Sequence, residues 1–88
     1  MMNDEKLSDL PNIGKEVEKQ LNEVGIAKFE DLKELGTENA WLKIQSIDNS
    51  AWINRLLALE GAIRGIKKTL LPDDRKKELK EFYSLHKK

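Results

Sequence analysis

The 88-residue chain has no cysteine, which excludes disulfides, thiolate zinc sites and a thiol nucleophile. It has a single histidine, His86, the third residue from the C-terminus. A lone imidazole there lacks the orienting partners that catalysis or metal binding needs. No apolar run approaches the roughly 20 residues of a membrane span. The first residues, Met1-Met2-Asn3-Asp4-Glu5, are acidic and have no apolar segment behind them, so they do not read as a secretory signal. Also missing are internal repeats, low-complexity stretches, linkers and any convincing strand alternation. No serine or threonine has a plausible base partner, and Glu60, the one carboxylate on an apolar helix, has no second acid beside it. These absences lead us to expect a cytoplasmic, non-enzymatic chain with no metal, cofactor, small-molecule substrate or membrane partner.

What is present reads as helix throughout. The stretch Leu10-Pro11-Asn12-Ile13-Gly14-Lys15 is a tight turn opening a helix to about Val24, with Val17, Leu21 and Val24 on one face and Gly25 as its stop. Asn3 or Asp4 can cap a short helix before the turn, carrying Leu7 and Leu10 and ended by Pro11. Short helix, elbow and second helix together form a helix-hairpin-helix over residues 4–25. A third helix from Lys28 buries Phe29, Leu32 and Leu35 and closes at Gly36. Thr37 then caps a fourth, from Glu38 to about Gln45, with Ala40, Trp41 and Ile44 inward. Asp48-Asn49-Ser50 supplies the next cap.

The central helix is expected over residues 51–66. One stripe joins Trp52, Leu56, Leu59, Ile63 and Ile66, and a second, smooth one joins Ala58, Gly61, Ala62 and Gly65. A glycine inside a helix costs about 1 kcal/mol relative to alanine, so these two imply a closely approaching backbone; a homodimer seam is the other reading. Pro72 begins a last, basic helix over 73–86, with Leu79, Phe82 and Tyr83 on one side. The expected architecture is therefore all-α: one compact domain of five to six short helices spanning 1–88, in a helix-hairpin-helix or SAM-like arrangement. Glu60, if buried, must be paired, with Arg64 at i+4 or with a backbone turn, and reads as a structural pin.

From Leu7 to Ile66 the order of signals resembles the C-terminal domain of the TfoX (Sxy) family, regulators of competence for DNA uptake. The resemblance rests on Asp9-Leu10-Pro11-Asn12-Ile13-Gly14-Lys15, Leu21, Gly25-Ile26, Glu30-Asp31-Leu32, Leu35-Gly36 and Leu56-Leu57-Ala58-Leu59-Glu60-Gly61-Ala62-Ile63. It implies a regulatory binding module. Family members usually carry a further N-terminal domain, so this chain reads as the C-terminal module standing alone. They also tend to have a tryptophan past the last helix glycine, where this chain has Lys67-Lys68-Thr69-Leu70.

Net charge is zero but divided. Residues 1–36 hold five lysines against nine acids, and residues 37–88 hold eleven basic side chains against seven acids. The candidate anion or nucleic-acid site is the elbow, Asn12, Ile13, Gly14 and Lys15, with Lys19. Its unpaired amides at a positive helix end suit a phosphate. Against that stand the acidic surroundings and Asn12 where DNA-binding hairpins typically have glycine; the elbow then simply orients two helices, with Ile13 plugging the gap. A basic face of Lys67, Lys68, Arg75, Lys76 and Lys80, joined by Lys77, Lys87 and Lys88, is either a phosphate-binding surface or, given the interleaved acids, a solvated face. Trp52 is the protein-interaction candidate. The expected function is regulation by docking on a protein partner, with direct DNA binding as the alternative, in a monomer or weak homodimer.

Overall fold

The computed structural model describes residues 7–48 and 50–87. Asn3 and Asp4, where a cap is expected, Asn49 of the Asp48-Asn49-Ser50 turn, and Lys88 of the basic face lie outside the described residues. Within them there are five α-helices: α1 (Lys15–Glu23), α2 (Phe29–Leu35), α3 (Thr37–Ile47), α4 (Ile53–Arg64) and α5 (Asp73–His86). Two 3-10 turns, Leu7–Asp9 and Lys68–Leu70, precede α1 and α5. No strand occurs among the described residues, and the expected all-α class is the observed one.

Helix ends follow the local sequence closely. Gly25 takes a left-handed backbone (φ 90°) and stops α1. Its N–H bonds to Asn22 O at 3.1 Å and the Ile26 N–H to Leu21 O at 2.8 Å, a Schellman pair that turns Ile26 into the core. Gly65 does the same for α4 at φ 76°, with the Ile66 N–H on Gly61 O at 2.9 Å. Gly65 therefore lies at the helix end and not inside it, and α4 is shorter than the expected 51–66. At its other end Ala51 precedes the helix and Trp52, with extended backbone, holds the N-cap position, so neither Asp48 nor Ser50 of the expected capping turn caps α4.

Two other expectations shift. Gly36 holds the N-cap position of α3, and Thr37 is the first helical residue. Its hydroxyl is drawn off to a buried carboxylate instead of capping the backbone. The first arm of the expected hairpin is, among the described residues, only the 3-10 turn Leu7–Asp9, closed by the Leu10 N–H on Leu7 O at 3.0 Å. Pro11 disfavours helical backbone at Leu10, which ends the arm there.

α4 is the central helix. Five consecutive residues, Ala58 to Ala62, are buried, and α2, α3, α5 and the second 3-10 turn all pack against it. Leu56, Leu59 and Ala62 join Leu21, Leu32, Ala40, Trp41, Ile44 and Leu79 in one continuous core. Trp41 anchors α5 edge-on, with ring centroids 6.0 Å from Phe82 and 5.7 Å from Tyr83. Its Nε1 has no hydrogen-bond partner among the described residues, a cost of about 1–3 kcal/mol that apolar burial outweighs.

Candidate docking surfaces

At the elbow, Asn12 adopts φ 70°, the left-handed conformation that asparagine tolerates better than most residues. That geometry sends its side chain inward across the chain. Nδ2 donates to Ile66 O at 3.0 Å and, at the long limit, to Ala58 O at 3.5 Å; Oδ1 accepts the Lys68 N–H at 3.1 Å. Gly61 makes room for this clasp. A Cβ there would stand 2.7 Å from Ile66 O and closer still to Asn12 Nδ2. The smooth stripe expected on α4 thus receives the elbow's side chain within one molecule.

The remaining elbow residues divide. Ile13 is buried and its N–H bonds to Leu10 O at 3.3 Å, so this amide is not offered outward. Gly14, Lys15 and Lys19 are exposed. The first turn of α1 carries Glu16 and Glu18, which already suit its positive end, and the Glu18 carboxylate accepts the Ser8 N–H at 3.2 Å. An incoming phosphate would meet these acids beside Lys15 and Lys19.

The five residues assigned to a basic face do not share one. Arg75 turns inward: its Nη2 lies 3.0 Å from Glu60 Oε1 and 3.1 Å from both Glu38 oxygens, and its Nη1 3.2 Å from Glu78. Lys67 and Lys68 sit on the connector after α4, where the Lys76 ammonium also reaches, donating to Thr69 O at 3.3 Å. Lys80 is exposed farther along α5 beside Lys77, Glu81, Ser84 and Leu85.

Glu60, only 6% exposed, is the hub of a closed polar network. Burial alone would raise its pKa. Hydrogen bonds from Arg75, from Arg64 Nε (2.6 Å) and from the Thr37 hydroxyl (2.7 Å) outweigh that and lower it from 4.5 to about 2. The Arg75 guanidinium is correspondingly held charged, first by its bonds to Glu60. Both carboxylate oxygens are occupied, so the group ties α5 to α3 and α4. The Arg64 pairing is legible from i+4 spacing; Thr37 and Arg75 are not.

Trp52 is 65% exposed, so it lies off the inward stripe that continues through Leu56 and Leu59. Ile47, 49% exposed, is on the other side of the same α3–α4 turn. The turn is braced from beneath. Gln20 Nε2 donates to Asp48 Oδ2 at 2.8 Å, Arg55 Nη1 donates to Gln20 Oε1, and the Ser50 N–H donates to Asp48 Oδ1 at 3.0 Å. The Ser50 side chain and then Gln20 hold the Asp48 carboxyl below its ordinary pKa. A large apolar side chain thus stands on a fixed support.

These features define a small all-helical domain in which Asn12, Glu60 and Arg75 bond within the chain while Trp52, Lys15 and Lys19 face outward. The chain belongs to the TfoX C-terminal domain family, whose model matches residues 3–83. It is 40% identical over 78 residues to protein Sxy of Escherichia coli K12, a match covering 89% of this chain but 37% of Sxy. The chain thus spans little more than a third of that relative. A crystal structure of an uncharacterized protein from Listeria monocytogenes superimposes with TM-score 0.90 at 44% identity, covering 92% of this chain and 93% of that one. A protein of unknown function from Listeria monocytogenes, in a tetragonal crystal form, gives TM-score 0.87 at 42% identity, covering 89% and 96%. No helix among the described residues is long and apolar enough to cross a membrane.

Proposed function

We propose that this chain is a non-enzymatic regulatory binding module which, like the C-terminal part of a TfoX competence regulator, docks on a protein partner in transcriptional or DNA-associated control. One observation carries the reading: Trp52, an apolar side chain 65% exposed, stands with Ile47 on the braced α3–α4 turn. Exposed aromatics on rigid supports are characteristic anchors of protein interfaces, because they bury large area at little entropic cost. The elbow supports the same reading from the other side, since Asn12 and the Ile13 amide serve the chain's own packing. The module acts as one helical unit over residues 1–88, in the cytoplasm.

Direct DNA binding is the second reading, and the exposure of Gly14, Lys15 and Lys19 at the start of α1 favours it. Photo-crosslinking in cells that express the chain separates the two. A photoreactive amino acid replaces Trp52 in one variant and Lys15 in another. Docking yields a discrete protein adduct from position 52 and no nucleic-acid adduct from position 15. Nucleic-acid adducts at position 15 with none to protein at position 52 would reverse the assignment.

A further inference from the structure

The clasp of Asn12 on the end of α4 creates a surface away from Trp52. Pro11 and Asn12 form one wall, and residues 65–70 the other, of an open groove of about 850 Å³. Its walls are fixed to each other by the Asn12 bonds to Ile66 O and the Lys68 N–H. Pro11, Ile66 and Leu70 supply apolar lining, and Leu70 stands 67% exposed. The charged lining is Lys67 and Lys68, with Lys76 held beside it through Thr69 O. No carboxylate lines the groove, and none of these three lysines makes an ion pair among the described residues.

The groove suits a protein segment better than a nucleic acid. The N–H groups of Gly65, Ile66, Lys68 and Leu70 are committed to Ala62 O, Gly61 O, Asn12 Oδ1 and Lys67 O. Phosphates would find ammonium charge but, with these four amides bonded, no two consecutive free N–H groups along residues 65–70, and bases would find no ring to stack on, since no aromatic residue lines it. A segment carrying both carboxylates and apolar side chains would satisfy both halves of the surface.

We propose that this groove docks an acidic, apolar segment of a partner protein, its carboxylates on Lys67, Lys68 and Lys76 and its apolar side chains on Pro11, Ile66 and Leu70. The proposal rests on the docking function above and names the chemistry of the docked segment.

The test is an NMR titration of the isotope-labelled full chain with a synthetic peptide alternating glutamate with leucine and phenylalanine. Two parallel titrations use a peptide with lysine in place of glutamate and a short DNA duplex. The expected result is saturable shifts confined to the amides of Asn12 and residues 65–70, absent with the basic peptide. The double variant Lys67→Glu, Leu70→Ser, altering side chains outside the core, should bind about tenfold more weakly with unchanged helical circular dichroism. Lys33→Ala, at an exposed position on α2, should bind as the parent does. Absence of saturable shifts, or equal binding of the basic peptide, would overturn the groove assignment. Acidic-peptide shifts centred on Trp52 would overturn it while leaving protein docking intact. Preferential shifting of the groove by the duplex would overturn both.

Discussion

Replacing Glu60 with glutamine tests the polar hub quantitatively. In the folded chain its pKa is about 2 against an ordinary 4.5. At 1.36 kcal/mol per unit, that difference corresponds to about 3 kcal/mol of stability. Because the folded pKa is the lower one, the contribution is fully present above pH 4.5, falls as acid is added, and is gone below about pH 2. Glu60→Gln keeps the volume and an acceptor for Thr37 but removes the charge opposite Arg75 and Arg64. Arg75 retains Glu38 and Glu78, and Arg64, whose side chain is 42% exposed, returns to water, so no buried guanidinium is orphaned and the loss near neutral pH should be about 3 kcal/mol, not the upper end of the range for broken buried pairs. Urea denaturation of both proteins across the pH range reads the difference directly. The gap between parent and variant should be constant above pH 4.5 and close toward pH 2. A gap that does not change with pH, or a variant as stable as the parent near neutrality, would refute the assignment of Glu60 as a charged pin.

Asn12→Ala should lose its clasp and also force a left-handed backbone on a Cβ residue, costing about 1 kcal/mol more than Asn12→Gly; thermal melts of the two variants give the order. Gly61→Ala should destabilise by about 1–3 kcal/mol by overpacking, although helix propensity alone predicts a gain of about 1 kcal/mol. The reason is the backbone oxygen of Ile66 at 2.7 Å from the added methyl, and denaturant titration checks the sign. Trp41→Ala should cost about 3–5 kcal/mol, whereas Trp52→Ala should stay within about 0.5 kcal/mol of the parent. Acrylamide quenching should correspondingly strike Trp52 and spare Trp41.

What could be read from the residues is what is local in the chain. Gly25 and Gly36 ending helices, Ala40, Trp41 and Ile44 facing inward, and Arg64 reaching Glu60 at i+4 all depend on neighbours a few positions away. The contacts that give the surfaces their character are long-range. Asn12 meets Ile66 and Lys68 only because the elbow folds onto the end of α4, and no spacing rule foretells a 54-residue separation. Arg75 reads as part of a lysine run, yet its register on α5 points it at Glu60. Gly65 reads as a helix interior because propensity cannot say that a left-handed residue closes the helix there. Trp52 fits the apolar stripe by number, but the helix begins one residue after it, so helical periodicity does not apply at that position. A signal for the groove was available in Leu70-Leu71, adjacent leucines before a proline of which one, Leu71, is buried.

Whether the elbow works inward or outward is decided most directly by fluorescence anisotropy of a labelled DNA duplex with the parent chain and Lys15→Glu, over a range of salt concentrations. An inward elbow and a protein-docking function predict no saturable binding even at low ionic strength, and no difference between the two proteins. Saturable binding that weakens steeply with salt and disappears in Lys15→Glu would contradict them.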